Sequence, residues 1–263
     1  MACILAISNQ KGGVGKTTTS INLAAALAAI GQRVLLVDLD PQGNATSGLG
    51  LDREQPGGVY PLLLQAEDLH DHVRGTSLPG LDVLPATSDL VGAEVELVQV
   101  QGRERRLRRA LDAARASYDW VLIDCPPSLG LLTLNALVAA DRVLIPLQAE
   151  YYAMEGLSQL LRTIAAVRKG LNPDLVREGI VVTMFDQRNN LCRDVADQAV
   201  ELFGDEVFTT RIPRNVRLGE APSYGSSIVE YAPKSTGARA YLALGEELLA
   251  RHGQVAQRLR EAH

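Results

Sequence analysis

The chain has 263 residues, is 46% hydrophobic but only 4% aromatic, and carries a formal net charge of −5. That length supports one sizeable core made mainly of Ala, Val, Leu and Ile, at the upper end for a single α/β domain. The acidic balance argues against a wholesale nucleic-acid coat but leaves room for a local basic patch, because attraction to phosphate fades over roughly 10 Å at physiological salt.

The three cysteines, Cys3, Cys125 and Cys192, are far apart and form no CxxC pair, so neither a disulfide framework nor a zinc site is indicated. No uninterrupted apolar run approaches the roughly 18 residues that span a bilayer. The opening MACILAIS lacks the basic start of a secretion signal and runs directly into a glycine loop. A soluble, cytoplasmic protein is the expectation.

In chain order, the run 3–8 reads as a buried strand and ends in Asn9-Gln10-Lys11-Gly12-Gly13-Val14-Gly15-Lys16-Thr17-Thr18. An Ala- and Leu-rich helix over 17–30 follows, stopping at Gly31, a natural C-terminal cap position. Strand, glycine loop and helix in that order are the context of a phosphate-binding loop. Backbone N–H groups of Gly12, Gly13, Val14 and Gly15 can turn onto an anion at the positive end of the helix. Lys16 reaches the β- and γ-phosphates, Thr17 ligates magnesium and Thr18 touches the α-phosphate. The ordinary GxxxxGK[ST] pattern would need glycine at position 10; this chain has Gln10 and a second lysine, Lys11. One lysine suffices for a loop's own phosphates, so Lys11 is either idle or serves another site. No Asn-Lys-x-Asp or Thr-Lys-x-Asp guanine signature occurs, which favours ATP.

A second strand, 34–39, leads into Asp38-Leu39-Asp40, whose alternation sends Asp38 and Asp40 to one side at the carboxyl end, where ligands gather in such sheets. Residues 52–58 (DREQPGG) read as a surface loop. The arginine-rich segment 103–115 places Leu107, Ala110, Leu111 and Ala114 at helical spacing, so its charges read as a solvated helix face. Strand 120–124 ends in Asp124, an acid at the tip of an apolar strand, placed to hold magnesium through its water shell. Asp38 either joins that site or supports its waters. Strands follow at 142–147 and 179–184, with helices at 156–169, 193–203 and 237–252. Apolar strands alternating with helices predict one domain, residues 1–263: a doubly wound, mostly parallel α/β sheet with helices on both faces.

KGGVGKTT at 11–18, VLLVDLDPQGN at 34–44 and VLIDCPP at 121–127 together resemble the deviant Walker A P-loop ATPases, and most closely their ParA/Soj partitioning branch. The likeness continues through Glu150-Tyr151-Tyr152, Thr183-Met184, Ile212 to Leu218 and Glu220 to Ser223, and so covers nearly the whole chain. It implies a magnesium-dependent ATPase that dimerises on ATP, with the lysine matching Lys11 crossing to the partner's phosphates. The aspartate matching Asp40 would orient the attacking water, so Lys11, Lys16 and Asp40 are the catalytic candidates. Pro213, Asn215 and Met184 would line the adenine pocket. The ATP homodimer would bind double-stranded DNA without sequence preference, placing it on the nucleoid, and a ParB-type partner would stimulate hydrolysis. Arg188 and Arg217 would contact DNA with Arg214 beside them; Arg211, Arg214 and Arg217 fall within seven residues that contain no carboxylate.

Two relatives of different class share the loop. A MinD-type membrane switch would need a basic amphipathic tail, whereas Leu248, Leu249, Val255 and Leu259 are interrupted by Gly253 and lack bulky aromatics. An iron–sulfur carrier would need closely placed cysteines, and Cys125 beside Asp124 reads better as a small core residue.

Overall fold

The computed structural model describes residues 1–150 and 153–261, with side chains outside 151–155 and 254–263. Tyr151 and Tyr152, and the side chains of Val255 and Leu259, lie outside the described residues.

Seven strands form one sheet: β1 (Cys3–Ile7), β2 (Val34–Asp38), β3 (Arg74–Gly75), β4 (Leu81–Leu84), β5 (Trp120–Asp124), β6 (Arg142–Gln148) and β7 (Val176–Thr183). Their order is β3-β4-β2-β5-β1-β6-β7, and every pairing is parallel except β3 against β4. The helices that bear on function are α1 (Lys16–Ala29), α2 (Asn44–Gly48), α3 (Leu131–Ala139), α4 (Ala153–Gly170), α5 (Asn190–Phe203), α6 (Val216–Glu220) and α7 (Thr236–Glu261).

The strands are apolar on both sides because helices cover both sides. In β1, Ile4 and Ala6 enter one core and Leu5 and Ile7 the other. The second core is closed by α1 and by Tyr241, Leu244 and Leu248 of α7. Helix α1 is sandwiched between sheet and α7, so Leu23 to Leu27 are wholly buried and only small side chains fit on its outer face. Gly245 lets α7 approach closely; a Cβ there would sit 3.6 Å from the Cβ of Ala26. On the opposite face α3 and α4 pack through Leu132, Ala136, Leu157, Leu160, Ile164 and Val167.

The expected layering is present, with three differences. Strands β3 and β4 were not anticipated: β4 is four residues long and β3 an antiparallel edge of two, too short for a periodic signal. Strand β7 begins at Val176 rather than 179; Arg177 and Glu178 interrupt the apolar pattern and hid its first residues from the sequence. Glu178 is tolerated there, 6% exposed, by bonds to Arg142 at 3.1 Å and His252 at 3.1 Å. The arginine-rich segment is a broken helix, Arg103–Arg105, Arg106–Leu111 and Ala114–Ser117, with Leu107, Leu111 and Ala114 buried as expected. Several of its arginines are structural rather than merely solvated: Arg106 donates to the carbonyls of Leu63 and Leu64, and Arg115 pairs with Asp141 at 2.9 Å.

Candidate nucleotide site

The carboxyl ends of β1, β2 and β5 lie side by side and bring the loop and the carboxylates together. Asp38 of β2 is in register with Asp124 of β5, and Asp124 with Ile7 of β1, the last strand residue before the glycine loop. The loop is fixed at both flanks. Asn9 donates from Nδ2 to the Pro146 carbonyl at 2.7 Å and accepts from the Lys11 N–H at 3.0 Å. Thr183, at the end of β7, donates to the Val14 carbonyl at 2.8 Å. Gly15, at φ 82°, makes the left-handed turn into α1, a conformation a side chain would strain.

The two lysines have opposite surroundings. Lys16 is 6% exposed and its Nζ donates to the Lys11 carbonyl at 3.2 Å, curled inside the loop. Burial pushes its ammonium below the ordinary lysine value, while the Asp124 and Asp40 carboxylates oppose that shift. Lys11 points outward: its side chain is 33% exposed and its Nζ pairs with Glu150 at 2.9 Å. Glu150 also accepts from the Gln148 amide.

Asp124 accepts from Ser20 Oγ at 2.8 Å through Oδ1, while its buried Oδ2 has no partner among the described residues. Burial pushes its carboxyl up from the ordinary range, the facing Asp38 adds to this, and the Ser20 and Thr17 hydroxyls oppose it. An unsatisfied carboxylate oxygen in the protein interior is costly unless something polar arrives. The donor set, all oxygen with Thr17 nearby, suits a hard cation with its waters, so magnesium fits here. Asp38 is committed differently. Its Oδ2 accepts from the N–H and hydroxyl of Thr46 at 2.8 and 2.7 Å, and its Oδ1 from the Asp40 N–H at 3.3 Å. Asp40 is 7% exposed and accepts from the Gln42 N–H at 2.9 Å, holding a tight turn with Pro41 and Gly43.

Met184, Pro213 and Asn215 line one cavity of ≈ 310 Å³ together with Gly15, Thr18 and Leu218. A parallel bridge between Phe185 and Pro213 joins the two loops that form its walls. The Asn215 side chain caps α6, accepting from the Arg217 N–H at 2.8 Å and donating to Thr236 at 2.6 Å, which leaves one N–H and one lone pair for a ligand.

The basic patch differs from its sequence outline. The stretch 211–217 lacks acids, yet the fold supplies them: Arg217 pairs with Glu220 at 2.8 Å and Arg211 with Asp197 at 3.6 Å, stacked over Phe185. Arg188, its side chain 90% exposed, forks onto Asp186 with two 3.0 Å bonds. Arg214 is exposed and makes no ion pair among the described residues. Sequence reading missed Ser20 and Thr46, which orient Asp124 and Asp38. Ser20 carried a signal, four residues beyond Lys16 on the same helix face; Thr46 carried none.

Four similarities bear on these residues. A family model described as an AAA domain matches residues 2–177. The sporulation initiation inhibitor protein Soj of Bacillus subtilis is 57% identical over 95% of this chain and 99% of its own length. The chromosome partitioning protein ParA of Myxococcus xanthus is 57% identical over 98% of this chain and 92% of its own. Among solved structures, cobyrinic acid a,c-diamide synthase from Mycobacterium smegmatis with bound ADP and magnesium superposes with a TM-score of 0.84 at 43% identity, covering 97% of this chain and 96% of that one. Identity to the partitioning proteins is the higher, over equally full coverage. No helix among the described residues is long and apolar enough to cross a membrane.

Proposed function

The chain belongs to the Soj/ParA family of chromosome-partitioning ATPases, and on that premise we propose that residues 1–263 act as one ATP-gated switch that dimerises, binds DNA and resets by hydrolysis. Backbone N–H groups of Gly12 to Thr18 and the Lys16 ammonium take the phosphates of ATP. Thr17 and Asp124 hold magnesium, which supplies charge neutralisation at the β- and γ-phosphates, and Asp38 anchors the strand end beside it through Thr46. Asp40 accepts a hydrogen bond from water and aims it at the γ-phosphate. Met184, Pro213 and Asn215 enclose adenine.

The observation that carries this reading is the contrast between the lysines. Lys16 is enclosed by its own loop, whereas Lys11 stands outside it, paired among the described residues with a half-exposed carboxylate that a more concentrated anion can displace. A cation in that position serves a phosphate arriving from outside the subunit, as an arginine finger does. Two chains meeting across this surface place each Lys11 on the other's nucleotide. Dimerisation also doubles the arginines at 188, 214 and 217 facing one duplex, which makes nonspecific DNA binding, and with it nucleoid association, conditional on ATP. A ParB-type partner then accelerates hydrolysis and releases the DNA.

Nucleotide titration beside light scattering tests the division of labour. Lys16→Ala should weaken ATP binding by about 2–5 kcal/mol, the effect of truncating one member of a buried charge cluster. Lys11→Ala should bind ATP almost normally yet remain monomeric. A Lys11→Ala protein that dimerises and turns over ATP at the wild-type rate refutes the reading.

A further inference from the structure

We infer that Arg53 is a positioning residue for the turn that carries Asp40. Arg53 lies in the segment 52–58, which sequence patterning reads only as a surface loop. Its Nη2 donates to the Pro41 carbonyl at 2.7 Å, one residue past Asp40. Its side chain packs against Gly43: a Cβ on Gly43 would lie 2.7 Å from both Cδ and Cζ. Arg53 Nε is buried and has no acceptor among the described residues. The side chain is therefore held by shape and by one bond to backbone, with Gly43 kept bare to admit it.

The turn beneath is tight. Gly43 sits at φ 60° and donates to the Asp40 carbonyl at 2.8 Å, while Gln42 N–H donates to Asp40 Oδ1. Any shift of Pro41 or Gly43 thus moves the Asp40 carboxylate itself. The segment that supplies Arg53 is fastened in turn. Arg74 of β3 donates to the carbonyls of Asp52, Gln55 and Pro56 at 2.9, 3.0 and 3.1 Å. A two-arginine brace therefore runs from the edge strand through the 52–56 loop onto the Asp40 turn. An aspartate that orients water must be placed to a fraction of an ångström. The brace does that from outside the turn, leaving both Asp40 oxygens clear of any side-chain donor among the described residues.

This inference rests on the proposed role of Asp40, and the test separates the two. The experiment measures kcat and KM for ATP, ATP affinity by titration and thermal melting for Arg53→Ala, Arg53→Lys, Asp40→Ala and the Asp40→Ala/Arg53→Ala double variant. Arg53→Ala should lower kcat on the order of 10- to 100-fold, the effect of a misplaced reacting group, with KM and affinity nearly unchanged. Arg53→Lys should recover part of the rate, since an ammonium can still donate to the Pro41 carbonyl but cannot cover Gly43. In the Asp40→Ala background the Arg53 change should lower the rate no further. A fully active Arg53→Ala beside an inactive Asp40→Ala overturns this inference alone. So does a loss matched by weaker ATP binding or a lower melting temperature with no recovery in Arg53→Lys, or a rate loss that adds to that of Asp40→Ala. An Asp40→Ala protein with undiminished turnover overturns the reading beneath it.

Discussion

The nucleotide end of the sheet and the arginine surface beyond it are built on opposite plans. Around Asp38, Asp40 and Asp124 the polar groups are buried, and backbone and hydroxyl donors fix their places before any ligand arrives. Around Arg188 and Arg217 the charges are exposed and neutralised by neighbouring acids on flexible side chains. A buried, fixed site suits chemistry, because charge placed in advance needs no rearrangement during the reaction. An exposed, self-paired surface suits reversible docking, because exchanging one solvated partner for another is nearly neutral. Under the proposed function, the contrast means that ATP would be read through position and DNA through net charge.

The sharpest break in that contrast is Asp40→Ala. If the buried end governs the chemical step, turnover should fall by about 100-fold or more while ATP binding and dimerisation persist, so an ATP-bound dimer accumulates. Rapid-quench turnover beside light scattering checks this; a variant unable to bind ATP would mean that Asp40 holds the ground state instead.

Next in size is Arg217→Glu, which should weaken DNA binding at least tenfold and leave DNA-free turnover intact, because a phosphate contact is lost and a repulsion gained. Fluorescence anisotropy on two unrelated duplexes is the measurement. The converse change sharpens the comparison. Glu220→Gln removes the carboxylate that occupies Arg217, and should tighten DNA binding by about threefold, the scale of one screened surface charge. Unchanged affinity in both variants would move the DNA surface elsewhere.

The smallest effect is expected at the far end of the sheet. Burial alone would raise the Glu178 carboxyl, but His252 and Arg142 outweigh it and hold the pKa below the ordinary glutamate value. A depressed folded-state pKa contributes stability above the unfolded value and loses it as pH falls through the folded one. Glu178→Gln should therefore cost about 1 kcal/mol near neutrality and flatten the acid side of the melting profile. Equal melting curves for both proteins from pH 7 to 3 would contradict this.

The buried end was legible in the sequence because its determinants are local. Lys16 and Thr17 follow the glycines directly, and Asp38, Asp40 and Asp124 end apolar strands whose parallel pairing brings those ends together. What stayed hidden depends on contacts between distant segments or on backbone atoms. Thr46 reaches Asp38 only because α2 folds back over β2, and Arg53 acts on a carbonyl, which no residue pattern encodes. The arginine surface was legible as charge but not as ion pairs. Asp186 stood two residues from Arg188 in plain view, yet nothing in the string determines that the two side chains fork together. The sequence pattern starts β7 too late for a related reason, since the acid inside the strand is made tolerable by Arg142 and His252, 36 and 74 residues away.

ATP-gated DNA binding is the central claim, and anisotropy of the wild-type chain on unrelated duplexes, with ATP or ADP across a salt series, tests it most directly. Binding should be strong only with ATP and equal across sequences, and should fall by about 0.9 log units per log salt for each phosphate neutralised. Equal affinity with ADP and ATP, or an affinity that salt does not change, would contradict the claim.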